Sequence, residues 1–200
     1  MTRGGGTRPL FFLLAIPIGL GLGWLRGGHL PRLAQVRLGA WPLLLAGPLL
    51  EAAVPQIWPQ IGAHPRLEEL RAALLYAAAA GFLLANLRLP GAAPALLGAC
   101  GNALASLWGD GRMPVARQAL GRFPAPVVAR LDAGGLGAHV LLAHPVGIGW
   151  LGDWLAMPAP LPPGVISPGD ILLAAGLALF LARSMLAPAV APASGPAEPA

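Results

Sequence analysis

The sequence contains no lysine, and all 13 of its basic residues are arginine. This absence excludes Schiff-base chemistry, a Ser–Lys dyad and the lysine of a phosphate-binding loop. There is also only one cysteine, Cys100, so no disulfide can form within the chain. No run of basic residues with interleaved aromatic side chains occurs, which argues against a nucleic-acid interface.

Charge is scarce as well, because 10% of the residues are charged and 56% are apolar. A typical soluble domain has about 25% charged residues. With so little charge to cover a water-facing surface, the composition predicts that lipid surrounds most of the chain. The predicted fold is therefore an all-α, polytopic membrane protein with about five transmembrane helices. Its predicted partners are the lipid bilayer and either another membrane protein or a further copy of the chain.

Five apolar runs support this prediction. They lie at about 9–25, 41–58, 71–87, 92–108 and 171–186. Together they define a single predicted transmembrane domain, 9–186, in which 109–168 is a long connection with a surface-lying or re-entrant segment. Residues 1–8 and 187–200 are predicted to be tails, and the Ala/Pro-rich second tail is predicted to be disordered.

The arginines suggest an orientation. Three of them, Arg26, Arg32 and Arg37, lie in the connection between the first two apolar runs. Connections rich in arginine favour the cytoplasmic side of a membrane. This places the N-terminus outside and the C-terminus in the cytoplasm. The predicted location is the bacterial cytoplasmic (inner) membrane.

Several short motifs point to a family. They are RGGHLPRLAQVRLGAW at 26–41, RLPG at 88–91, GNALASLWGDGRMPVARQAL at 101–120, HVLL at 139–142, WLGD at 150–153 and VISPGDILLAAG at 165–176. On these motifs the chain resembles an uncharacterised family of small bacterial multi-pass membrane proteins, domain-of-unknown-function family 5317. The resemblance implies about five spans and no known activity. The motif positions singled out as candidate site residues are Gly111, Arg112, Met113, Pro114, His139, Gly152, Asp153, Ser167, Gly169 and Asp170.

This chain departs from the family pattern at three places. The family tends to have glutamine at the position of Glu51, an Asn-Gly-Gly run at 109–111, and acidic residues with threonine at 143–145. A site that depends on acids in the last of these segments would be lost or rebuilt in this chain.

A candidate polar site lies within the predicted spans. Glu51 falls near the middle of the second span, where an ionised acid is unfavourable unless it is paired, protonated or hydrated. It is either a proton or cation site facing Asn102 and Ser106, or a protonated acid standing in for glutamine. Asn102 and Ser106 share one helical face and either line a polar path or bond across helices.

Two aspartates, Asp153 and Asp170, are candidates for a catalytic pair. Asp170 follows Ser167 and Pro168 in the pattern of a capping box at a helix N-terminus. Asp153, in the second Gly-Asp pair, would have to meet Asp170 to form an aspartate dyad, as in a membrane-embedded hydrolase. The dyad is the alternative function, and the structural interpretation of Asp170 is the favoured one.

The remaining polar residues suggest no metal or cofactor. His139 and His144 are five residues apart, which does not place them on one helical face, and no HExxH motif supports them. We therefore expect neither a metal nor a cofactor. The leading functional prediction is a non-enzymatic membrane component, either a partner subunit or a small transport-type protein.

Overall fold

The computed structural model describes residues 8–57, 65–134 and 138–186. Its α-helices are α1 (Arg8–Leu25), α2 (Trp41–Ile57), α3 (Pro65–Ala85), α4 (Ala92–Trp108), α5 (Ala125–Asp132) and α6 (Pro168–Ser184). Its strands are β1 (Met113–Ala116), β2 (His139–Leu142), β3 (Leu155–Ala156) and β4 (Val165–Ile166). Short 3-10 helices cover Leu30–Gln35, Arg117–Leu120 and Gly147–Leu151.

Five helices pack side by side in the order α2–α3–α4–α6–α1. Small residues allow the closest of these contacts, since a helix without a side chain at the seam can approach its neighbour's backbone. A Cβ atom added to Gly19 of α1 would lie 2.7 Å from the carbonyl oxygen of Ala178 in α6. Likewise, a Cβ on Gly176 of α6 would lie 2.6 Å from the carbonyl oxygen of Gly91.

A tight turn links α3 to α4 and requires glycine. Gly91 has a φ of 84°, in the left-handed region that side chains with a Cβ rarely adopt. The backbone of Gly176 lies directly against it. The turn and the middle of α6 are thereby held in contact.

Between α4 and α6 the chain forms a small α/β region. β1 and β2 pair in parallel, with Met113 opposite His139, and β3 and β4 pair antiparallel. Its core contains Val115, Leu120 and Leu131. The described residues of the long connection, which was predicted to lie on or dip into a membrane, therefore contain four strands and α5.

The predicted membrane architecture is wrong. Among the described residues, no helix combines the length and the apolar character needed to cross a bilayer. A spanning helix takes about 20 consecutive apolar residues, whereas α1 has 18 and α2, α4 and α6 have 17 each. At 21 residues α3 is longer, but its first two turns include Arg66, Glu69 and Arg71.

Three predictions are corrected together. The all-α class is wrong because strands are present. The polytopic transmembrane character and the inner-membrane location, with the orientation derived from it, are overturned by the helix lengths and composition. The predicted tails, apart from Arg8, lie outside the described residues.

Candidate functional site

The seam between α4 and α6 brings together three of the polar residues predicted from the sequence, Asn102, Ser167 and Asp170. Gly98 of α4 lies against the backbone of Gly169 and the side chain of Leu172. A Cβ on Gly169 would in turn meet the Asn102 side-chain oxygen and lie 2.6 Å from the carbonyl oxygen of Gly98. The two helices can approach this closely because both residues at the contact lack a side chain.

At this seam Asn102, Ser167 and Asp170 form a closed set of hydrogen bonds, here named the polar clamp. The Ser167 hydroxyl donates to Asn102 Oδ1 at 2.7 Å, and Asn102 Nδ2 donates to Asp170 Oδ1 at 2.8 Å. The backbone N–H of Asp170 donates to Ser167 Oγ at 2.9 Å, and the N–H of Ser167 donates to Asp170 Oδ2 at 3.1 Å.

The local sequence explains the hydrogen bonds between Ser167 and Asp170 in the polar clamp. Ser167 is the N-cap of α6, Pro168 starts the helix and Asp170 occupies the third helical position, which together form the predicted capping box. The capping-box prediction is confirmed. Asn102 comes from α4 and joins the cap from the opposite side. Asn102, Ser167 and Asp170 are 4%, 0% and 4% exposed, so all three are shielded from water.

Ser106 lies one turn further along α4 and has different partners. Its hydroxyl shares a hydrogen bond of 3.1 Å with the Tyr76 hydroxyl of α3 and lies 3.9 Å from the sulfur of Met113. Asn102 and Ser106 therefore bond across helices, toward α6 and α3 respectively. Glu51 belongs to α2, but its side chain lies outside the described residues, so its predicted meeting with Asn102 and Ser106 stays a prediction.

The Gly-Asp-Gly-Arg-Met-Pro motif turns the chain from α4 into β1. Gly111 has a φ of 79°, and its N–H donates to the carbonyl oxygen of Ser106 at 2.9 Å. Met113 then donates its N–H to Ala138 at 2.8 Å and begins the pairing with β2. Met113 and Pro114 are buried, and Arg112 is half-buried.

The second Gly-Asp pair lies on the other edge of β1. The Asp153 N–H donates to the carbonyl oxygen of Pro114 at 2.8 Å, and Ala116 donates to the carbonyl oxygen of Asp153 at 2.9 Å. Gly152 packs so closely on Pro114 that a Cβ would lie 2.6 Å from its carbonyl oxygen. Asp153 is 1% exposed. The two aspartates thus occupy different settings, Asp170 in the polar clamp and Asp153 in the bridge to β1.

The two histidines occupy different surroundings. His139 begins β2, opposite Met113, and is half-buried, whereas His144 is exposed in the following turn. Within the described ranges, no group of three or more His, Cys, Asp or Glu residues is placed to hold a metal ion.

A cavity lies at the opposite end of the helices from the α/β region. It has a volume of about 330 Å³ and lies between α1, α2, α3, α4 and α6. Its walls include Phe12, Leu44, Phe82, Leu83, Leu177 and Phe180. No sequence pattern indicated it, because its lining comes from separate apolar runs whose relative placement the sequence does not show.

Among the described residues that line this cavity, Asn86 has the one polar side chain. Its amide donates to the carbonyl oxygens of Gly39 at 2.8 Å and Phe82 at 2.7 Å, and its oxygen accepts from the N–H of Gly39 at 2.9 Å. These bonds use both amide hydrogens and the side-chain oxygen. The cavity therefore presents apolar surface to any occupant.

The comparison with protein families tests the family membership that the motifs suggest. Residues 40–182 match the model of a family described as "Family of unknown function (DUF5317)". The chain belongs to this family. The family region of this DUF5317 protein contains the whole polar clamp, the α/β region and the cavity lining apart from Phe12 and Leu38. No curated protein and no solved structure matches the chain.

Proposed function

We propose that this DUF5317 protein is a non-enzymatic binding protein of the transport type, which takes an apolar small molecule into the cavity between its helices. The observation that carries the proposal is the cavity itself, about 330 Å³ with an apolar lining. Small-molecule sites are concave, mostly apolar and about 300–1,000 Å³ in volume. This cavity lies at the lower end of that range and fits a small ligand.

The arrangement of the polar clamp supports a binding role over a catalytic one. A catalytic acid must reach a proton on its substrate within hydrogen-bonding distance. Here both carboxylate oxygens of Asp170 accept hydrogen bonds from Asn102 and Ser167, and the group is 4% exposed. These contacts hold α4 against α6, which stabilises the walls of the cavity near Ala95 and Leu173.

The test is the binding of N-phenyl-1-naphthylamine, a neutral apolar dye whose fluorescence rises in apolar sites. We expect saturable binding of one dye per chain. Leu177→Trp adds bulk to the cavity wall and should weaken binding about tenfold or more, because the new ring competes with the dye for volume. Leu83→Trp fills the cavity from α3 and serves as a second variant if the first unfolds.

Leu179→Trp is the matched control. It makes the same substitution on the same helix, but Leu179 is 43% exposed and does not line the cavity. It should bind the dye as the unchanged protein does. Non-saturable binding, or equal affinity in the cavity variants and the control, would contradict the proposal.

A further inference from the structure

The end of the molecule that contains the cavity is built from two connections. The segment 26–40, between α1 and α2, meets the α3–α4 turn through the bonds between Gly39 and Asn86. It also meets the end of α6, because the N–H of His29 and the guanidinium of Arg32 both donate to the carbonyl oxygen of Met185, at 3.0 and 3.1 Å. Leu38 and Leu89, one from each connection, line the cavity.

Charge of one sign is concentrated at this end. Segment 26–40 and turn 86–91 contain four arginines, Arg26, Arg32, Arg37 and Arg88, and no aspartate or glutamate. The aspartates of the chain all lie beyond this end, at positions 110, 132, 153 and 170, in the α/β region and at the start of α6. The cavity end is therefore cationic, which attracts anions.

Two of these arginines directly precede residues that line the cavity. Arg37 directly precedes Leu38, and Arg88 directly precedes Leu89. Both arginines are exposed, and in the described part of the chain neither takes part in a hydrogen bond or an ion pair. Arg32, in contrast, is engaged with Met185. The guanidinium groups of Arg37 and Arg88 are thus available to a ligand.

We propose that the cavity binds the chain of a single-chain fatty acid, with the carboxylate held at Arg37 and Arg88. This inference rests on the proposed binding function and names its ligand class. The described residues of the walls include no charged side chain, and both amide hydrogens of Asn86 are already used in hydrogen bonds. A charged head placed inside would lack partners, so it has to stay at the arginines, where guanidinium pairs well with carboxylate.

The cavity volume limits the chain length. A cavity of about 150 Å³ accepts benzene, with six carbons, so by simple proportion 330 Å³ accommodates about thirteen carbons. Decanoate is short enough to fit and remains monomeric over a wide concentration range. We therefore choose decanoate as the anionic probe and decanol as its neutral counterpart of equal chain length.

The experiment measures displacement of N-phenyl-1-naphthylamine by decanoate and by decanol. Replacing both arginines, Arg37→Gln with Arg88→Gln, should weaken decanoate binding about threefold to tenfold, the range expected for two exposed ion pairs. Decanol binding should change less than about twofold. Added salt should weaken decanoate binding to the unchanged protein, because exposed ion pairs are screened.

The matched control is Arg66→Gln with Arg130→Gln. It removes the same charge from two exposed arginines, one at the start of α3 and one in the α/β region, and should leave decanoate binding unchanged. An equal loss of decanoate affinity in both double variants, or no loss in the Arg37 and Arg88 variant, would overturn the fatty-acid assignment. In either case, binding of the dye and of decanol would still support the proposed function. Failure of the dye itself to bind would overturn both.

Discussion

Asn102 and Asp170, 68 positions apart in the sequence, are joined by a buried hydrogen bond of 2.8 Å from the Asn102 amide to the Asp170 carboxylate. The same asparagine accepts a bond from Ser167 at 2.7 Å. A single side chain of α4 thus binds both polar members of the cap of α6. The stability of the α4–α6 pair should depend strongly on Asn102.

Asn102→Ala tests this dependence. The substitution leaves the Ser167 hydroxyl and an Asp170 oxygen buried without their partner, which should lower the free energy of unfolding by about 2–4 kcal/mol. Urea denaturation followed by circular dichroism gives this value. Cys100→Ala, at an exposed position of the same helix, is the control and should change it by less than about 0.5 kcal/mol. Equal stability of the two variants would show that the bonds contribute little.

Glycines on one helix should respond in opposite directions. Gly98→Ala places a methyl group against Gly169 and 3.0 Å from the Leu172 Cβ, and it should destabilise the protein by about 1–3 kcal/mol through overpacking. Gly101→Ala meets nothing within 4 Å and should stabilise it by up to about 1 kcal/mol, since alanine favours helix. Thermal unfolding of both variants measures the difference. Destabilisation by Gly101→Ala would contradict the open space beside Gly101.

Arg122 should hold the loop that follows β3. Its guanidinium donates to the carbonyl oxygens of Met157 at 2.7 Å and Leu161 at 2.8 Å. Arg122→Gln should lower the unfolding free energy by about 1–3 kcal/mol, because hydrogen bonds from charged donors are stronger than neutral ones. Hydrogen exchange should also rise in residues 157–161. Arg130→Gln, at an exposed position of α5, should change neither the free energy of unfolding nor the hydrogen exchange of residues 157–161. Equal changes in this variant would show that the loss of charge, and not the loss of the two hydrogen bonds, causes the effect.

Asn86 should control the order of segment 26–40. Asn86→Leu removes both bonds to Gly39, so the Gly39 amide should exchange its hydrogen about tenfold faster. Gln35→Leu makes a comparable amide-to-leucine change at an exposed site of the same segment and should leave that rate as it is. An unchanged rate in Asn86→Leu would mean that other contacts fix this segment.

Local patterns explain what could be predicted from the sequence. The Ser-Pro-Gly-Asp order specifies the capping box, because all its bonds form within four residues. The family motifs likewise predict the family whose model matches residues 40–182. The partner that Asn102 would find was not predictable, since it depends on how α4 and α6 are aligned, which follows from Gly98 and Gly169.

The failed predictions have a common physical cause. Composition measures how apolar a chain is, whereas crossing a bilayer also depends on the uninterrupted length of each helix. Helix α4 stops at Trp108 because Gly109, Asp110 and Gly111 turn the chain. The four-residue strand β1 contains Pro114, a residue that argues against a strand in sequence-based reasoning. Its pairing with β2 joins segments more than twenty residues apart, which no local pattern shows.

The bond between Asn102 and Ser167 also has an architectural consequence. It joins α4, which precedes the α/β region, to the start of α6, which follows it. The two ends of the α/β region are therefore held close together in space. Doubling the length of a flexible loop within this region adds only about 0.6 kcal/mol of closure entropy. A flexible loop in this region can therefore be lengthened at little cost in free energy while the five helices keep their packing.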